Sequence, residues 1–299
     1  MKRGHWQILL AAALFLLALG LTLYPVVSNW YIGRHQSRIQ TEYREVLEQT
    51  DSAEIESIRE SAVAYNKTIT PGAAEEAYSQ ASIRLAAEDY VNQLNVSGSG
   101  IMGYVEIPKI GVDLPIYHGT GADSLDRGTG HLLGSSLPVG GESTHTIITG
   151  HSGMASQKMF TDLEQLREGD IFYLHVLDET LTYEVREIHT VLPHDTTYLG
   201  IEPGEDLCTL VTCTPTGVNT HRLLVHGSRI PYVPTEETEA SAVLHEENTD
   251  SNWEKQYWLG VRLGLAAMVF LTLVAGAVLY IRRNRGRAVH RKGGRYVRK

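Results

Sequence analysis

The chain has 299 residues, 42% of them hydrophobic, with 35 acidic side chains, 26 basic ones and only two cysteines. Its net charge of −9 hides a division: residues 31–256 hold all 35 acidic residues but only 14 of the basic ones, a local charge of −21, which argues against nucleic acid as a partner. Two cysteines without a second ligand pair supply no zinc set, and neither a metal nor a cofactor is expected.

The first element is an uncharged run of twenty residues, Ile8 to Val27, preceded by Lys2 and Arg3 and flanked by Trp6 and Trp30. Its length suits a helix crossing a hydrocarbon core of roughly 30 Å. It exceeds the apolar stretch of a secretory signal, and no clean small-x-small cleavage site follows, so residues 1–30 read as an uncleaved signal anchor. A second uncharged run, Leu263 to Ile281, follows Trp253, Tyr257 and Trp258 and makes 257–281 a second expected span. Nine Lys and Arg residues and no acid fill 282–299. By the positive-inside rule both termini are expected in the cytoplasm, with 31–256 outside at the cell membrane.

Residues 31–98 follow the first span. "SRIQTEYREVLEQ" and "AEIESIRESAVAYN" space apolar residues by three and four among charges, which predicts amphipathic helices. "TPGAAEEAYSQASIRLAAEDYVNQLN" predicts another, entered through Thr70-Pro71-Gly72, and "NVSGSG" (95–100) is the turn-rich break after it. Such a helical group is expected to pack on whatever follows.

From Ile101 the period changes from helical to strand-like. "MGYVEIPKIGVDLPIYHG", "THTIITG", "DIFYLHVL", "LTYEVREIHTV", "CTLVT" and "HRLLVHGSRI" are short β-type runs cut by Gly, Pro, Asp and Ser. At this density they predict a mainly β domain over 99–232, a closed barrel or a sandwich. "SQKMFTDLEQLREGD" interrupts them with a helical turn or two. The acidic stretch 233–256, poor in large apolar residues, reads as a flexible tether. No internal repeat is evident.

Cys213 ends a β-type run, which offers its side chain at the rim of a barrel. Cys208 lies five residues earlier and, by the two-residue strand period, points to the opposite face, so the two cannot pair without breaking the strand. A nucleophilic thiol needs a cation or a base nearby. Arg222 opens the next β-type run, sharing a face with Leu224 and His226, and would lie beside Cys213 if the two strands are neighbours. Among thirteen histidines, His151 stands where "TIITG" stops and "HSGMAS" begins, the same end-of-strand placement as Cys213; His118 and His131, among glycines, come next. Taken alone, these residues leave a buried structural thiol open for Cys213.

"TLVTC" followed by a strand opening on Arg222 resembles the Thr-Leu-x-Thr-Cys signature of sortases, membrane-held cysteine transpeptidases of Gram-positive bacteria, and "TGHSG" resembles their histidine segment. "MGYVEIPKIGVDLPIYHGT", "GTGHLLGSSLPVGGESTHTIITGHSG" and "TCTPTGVNTHRLLVHGSRI" are together similar to class C, the pilus-assembly branch. The resemblance covers roughly 99–232. It implies a closed eight-stranded sortase-type β-barrel behind an N-terminal helical segment, flanked by two transmembrane helices. It further implies Cys213 as nucleophile, His151 as acid and base, Arg222 as oxyanion or substrate holder, and Thr212 and Thr214 as substrate-binding neighbours. The expected partners are pilin or surface proteins bearing LPXTG-like sorting signals, with a pilin lysine amine as acceptor. A housekeeping sortase using cell-wall precursor is the near alternative, and a non-catalytic surface scaffold the distant one. Two departures stand out. No Asp-Pro-aromatic lid tripeptide occurs in 31–100, so no conventional lid is expected, a replacement around Thr68 to Gly72 being the alternative; and Thr216 stands where many relatives have tyrosine.

Overall fold

The computed structural model describes residues 2–70, 72–74, 88–154, 157–232 and 252–293. The chain divides into two units: Asn29–Trp253, and the two terminal pieces Met1–Ser28 with Glu254–Lys299. The acidic stretch 233–251 and most of the helix expected over 70–95 lie outside the described residues.

Eight strands close into a barrel: β1 (Ile101–Ile107), β2 (Val112–His118), β3 (Thr129–His131), β4 (Thr144–Thr149), β5 (Ile171–Val176), β6 (Glu179–Val191), β7 (Asp206–Thr214) and β8 (His221–Ile230). Around the barrel the order is β1-β2-β3-β4-β7-β8-β6-β5. The pairings β2–β3 and β4–β7 are parallel and the rest antiparallel, so the closed sheet is mixed. Closure removes the unpaired edges that eight short strands would otherwise present. Strand β3 is too short, and too rich in glycine around it, to show in a two-residue pattern; a one-turn helix α4 (Ala122–Leu125) precedes it, as the short helix α3 (Glu88–Val91) precedes β1. The predicted helical turn near Leu163 is a single 3-10 turn, Leu163–Gln165.

Alternation along the strands sends one set of side chains inward. Cys208 and Leu210 of β7 and Leu223 and Val225 of β8 join Met102, Val105, Ile148, Phe172 and Leu174 in the main core. The helical segment completes that core rather than standing apart. Helix α1 (Lys2–Gln49) lays Ile39, Tyr43 and Leu47, spaced by four, against Ile101, Tyr104 and Tyr117. The Tyr43 hydroxyl donates to the Met102 carbonyl at 3.2 Å and accepts from the Leu177 N–H. Helix α2 (Ser52–Asn66) starts on an Asp51 cap, whose carboxylate accepts from Ala53 N–H at 2.8 Å, and buries Ile55 and Ala62. At its end Asn66 mimics a strand partner: its amide donates to the Leu137 carbonyl and its oxygen accepts the Leu137 N–H at 2.7 Å. Arg59 pairs with Glu179 at 2.8 Å and with Asp178 in the β5–β6 turn.

In the terminal unit, α5 (Asn252–Gly293) contains Trp258–Val278, the one stretch among the described residues shown to be long and apolar enough to cross a membrane. The first apolar run falls within α1.

Candidate active site

The β7–β8 pairing brings two of the three expected residues together directly. Cys213 and Arg222 are cross-strand partners, one pair in from the open end of the β7–β8 ladder. Facing residues on antiparallel strands have Cβ atoms about 5 Å apart and project to one side. Both are part-exposed. The Arg222 guanidinium donates to the His221 carbonyl at 3.1 Å and to the Asn219 carbonyl at 3.4 Å, so it is held by its own turn and keeps other donors for a ligand.

His151 arrives from the other side of β7. Strand β4 runs parallel to β7, its last ladder pair being Thr149 with Val211, two residues short of both His151 and Cys213. Beyond that point Gly150 N–H still donates to the Val211 carbonyl at 3.0 Å. The Thr212 hydroxyl donates to the Gly150 carbonyl at 2.8 Å, and the Ser152 hydroxyl donates to the Cys213 carbonyl at 2.6 Å. Gly153 closes the loop with φ +73°, and a Cβ there would stand 2.9 Å from the Thr216 methyl, so glycine suits both the turn and the contact with the β7–β8 connection. His151 Nε2, part-exposed, lies 3.8 Å from Oδ1 of the exposed Asp126 beside the site.

Thr212 and Thr214 differ in placement. Thr212 is 3% exposed and its hydroxyl is engaged by Gly150, whereas Thr214 sits at the rim, part-exposed and paired with His221. The two cysteines are free thiols on opposite faces. Cys208 is fully buried in the core, and that burial pushes its thiol well above the ordinary range.

Four other histidines, His118, His131, His145 and His226, do structural work. His131 is fully buried, accepting from the Tyr90 hydroxyl at Nδ1 (2.9 Å) and donating from Nε2 to the Ser136 carbonyl (2.8 Å); burial pulls its pKa down to about 4. His118 sets its two ring nitrogens against the Gly100 and Gln93 carbonyls. Both therefore tie the preceding helical segment to the barrel. His145 and His226 share the Thr209 hydroxyl, at 2.6 and 2.7 Å, and burial lowers His226 to about 3.

An apolar strip runs away from the Cys213–Arg222 pair on the same face of the sheet. Val211, Leu224, Ile147, Leu132 and Val191 form it, with Val211 and Leu224 as cross-strand partners one step inward. Two other elements pack on it: Leu199 from the β6–β7 connection and Ala74 from the segment before the barrel. The approach of that segment is close, since a Cβ on Gly134 would stand 2.5 Å from the Ala73 carbonyl oxygen. Ala74 lies within the helical stretch that the sequence expects to pack on whatever follows, whereas Leu199 was missed, because a loop residue carries no periodic signal. Ser152 and Asp126 were missed for the same reason.

The sortase-domain family matches residues 105–230. A solved sortase C from Streptococcus pneumoniae is 44% identical, and the chain covers all of it with 66% of its own length at a TM-score of 0.60. The chain belongs to the sortase family. A pilus-related sortase C of Group B Streptococcus is 41% identical, with 64% of this chain covering 97% of that one at a TM-score of 0.59. A sortase A of Streptococcus agalactiae is 26% identical over 222 residues, 73% of this chain and 82% of that protein. This sortase is thus a cysteine transpeptidase by family, class C-like in its structural neighbours, with the closed eight-stranded mixed barrel that the resemblance implied.

Proposed function

We propose that this sortase polymerises pilins, using Cys213, His151 and Arg222. The Cys213 sulfur attacks the threonine carbonyl of an LPXTG-like sorting signal. The Thr–Gly C–N bond breaks, His151 gives a proton to the leaving amine, and a thioester to Cys213 remains. A lysine amine of the next pilin subunit then loses a proton to His151 and attacks the thioester, expelling the thiolate and forming an isopeptide bond. Arg222 supplies fixed N–H donors to the oxyanion in both halves of the reaction, and Thr214 borders the bound signal at the rim. Thr212 acts through the Gly150 carbonyl rather than on the signal.

The observation that carries this reading is the convergence of three strand ends: Cys213 faces Arg222 across β7–β8, and the His151 loop is bonded to the Cys213 carbonyl. The pilus reading rests on neighbours that are themselves sortase C enzymes, one of them described as pilus-related. Both apolar runs crossing the membrane, with both termini cytoplasmic, would hold the barrel where exported substrates emerge; the basic tail at 282–299 supports that orientation.

The test is intact mass of the full chain in detergent micelles after incubation with an LPXTG peptide. The expected result is an adduct equal to the peptide cleaved after threonine, absent in Cys213→Ala. Adding a lysine-bearing pilin domain should discharge it into an isopeptide product. Discharge by a wall-type amine alone would replace the polymerase reading with the housekeeping one. No adduct with any sorting signal from a folded protein would defeat the transpeptidase assignment of Cys213.

A further inference from the structure

The β4–β7 ladder stops before it reaches the residues that the reaction uses. Its last pair is Thr149 with Val211, yet His151 and Cys213 both lie two residues further on. Parallel strands beyond their last ladder bond are free to splay, and a displacement of about 1 Å between reacting groups costs on the order of 10²-fold in rate. Something has to carry the register onward.

Two side-chain hydroxyls do so. Thr212, immediately before the cysteine, donates to the carbonyl of Gly150, immediately before the histidine, at 2.8 Å. Ser152, immediately after the histidine, donates to the carbonyl of Cys213 itself at 2.6 Å. His151 is therefore bracketed, with the residue on either side of it fastened to β7. The backbone of the loop is secured elsewhere too: the Phe160 N–H donates to the His151 carbonyl at 2.9 Å and the Gly153 N–H to the Thr161 hydroxyl at 3.0 Å. Those bonds hold the loop to the 158–161 turn; among the described hydrogen bonds of the loop beyond Gly150, the one from Ser152 reaches the cysteine.

We infer that Ser152 is a positioning residue for transpeptidation, setting the separation of the His151 ring from the Cys213 sulfur through its bond to the Cys213 carbonyl. The inference rests on the roles given to Cys213 and His151 above. The hydroxyl touches neither substrate nor the reacting atoms. Threonine offers the same hydroxyl, and alanine removes it while leaving the backbone of the loop intact.

The experiment compares the full chain with Ser152→Ala and Ser152→Thr in detergent micelles. Three quantities are read: kcat and KM for an LPXTG peptide, the pH dependence of Cys213 alkylation by iodoacetamide, and Tm. The expected result for Ser152→Ala is a kcat lower by about tenfold or more with KM within about twofold. The alkylation profile should move along the pH axis, because the thiol loses its fixed distance from the imidazole. Ser152→Thr should restore both. An alanine variant with the parent's kcat and alkylation profile would overturn the inference. So would a loss of kcat that simply follows Tm in both variants, since that marks a structural bond alone. Alkylation needs no sorting signal, so a Cys213→Ala variant that still turns over peptide would defeat the catalytic assignment separately from the role of Ser152.

Discussion

Cys213 and Arg222 face each other as the penultimate pair of the β7–β8 ladder, ahead of Thr214 and His221 at its open end. The guanidinium is anchored to the His221 and Asn219 carbonyls through one nitrogen, which leaves its remaining N–H groups outside those two bonds. Lysine would keep the charge but lose the fork. Arg222→Lys should therefore lower kcat/KM for an LPXTG peptide by about 10²-fold, the usual cost of losing one oxyanion donor, with Tm nearly unchanged. A lysine variant within threefold of the parent would show that charge alone is sufficient.

The two thiols should separate cleanly in reactivity. Cys208 is 0% exposed in the core, with its thiol held protonated by burial, while Cys213 is part-exposed at the rim. Iodoacetamide on the native chain should add one group, and tryptic mapping should place it on Cys213. Cys208→Ser should instead be felt in stability, by about 1–3 kcal/mol, because a hydroxyl would enter the core without a partner. Labelling of Cys208 in the folded protein would contradict its burial.

His131 makes the domain sensitive to acid. Its pKa falls from 6.5 to about 4 in the folded state, chiefly through burial. The unfolded chain thus binds the extra proton between those two values, so stability rises with pH through that window. The contribution is complete above about 6.5 and is lost as pH falls toward 4. It amounts to on the order of 3 kcal/mol for a fully buried ring, and His226, lowered to about 3, acts in the same direction. Urea unfolding should give a smaller free energy at pH 4.5 than at pH 7.5. Equal values at the two pH values would sink this account.

Tyr90 is the counterpart of that histidine. Its hydroxyl meets His131 Nδ1 at 2.9 Å and accepts the Gly119 N–H at 3.0 Å, with the residue almost wholly buried. Tyr90→Phe leaves both partners unsatisfied in the interior and should cost about 1–3 kcal/mol. Because Tyr90 belongs to the segment before the barrel, hydrogen exchange should quicken in 88–94 and 118–131 together. Exchange that changed in neither place would show the bond to be dispensable.

Ala74 tests whether the segment before the barrel restricts access to the site. It packs with Leu199 on the strip formed by Val211 and Leu224, one step from Cys213 and Arg222. Ala74→Asp places a charge in that apolar contact and should lift the segment. Alkylation of Cys213 should then accelerate several-fold while Tm changes little. An unaltered alkylation rate would mean that the segment covers the strip without limiting entry to the thiol.

Much of the fold was legible because strong patterns are local. The two-residue alternation in "TLVTC" and "HRLLVHG" sorted the side chains onto two faces, and Cys208, Leu210, Leu223 and Val225 share the one that lies in the main core. The four-residue spacing of Ile39, Tyr43 and Leu47 likewise marked the buried face of α1. Three-residue β3 and one-turn α4 were invisible, since neither spans a full period of its pattern.

The sequence by itself determined the residue types of the site, their end-of-strand positions, the placement of Cys213 and Cys208 on opposite faces and the family that the signature indicates. Only the tertiary structure decided which strands are neighbours. Pairing of β7 with β8 put Arg222 opposite Cys213, and parallel pairing of β4 with β7, across the 56 intervening residues from Gly150 to Glu205, brought His151 alongside. It also withdrew Thr212 from the surface and turned Ser152 toward the Cys213 carbonyl. The physical reason is that alternation within a strand is set by backbone sterics over a few residues, whereas strand neighbours are chosen by closing one barrel around one core, a condition that involves the whole domain at once.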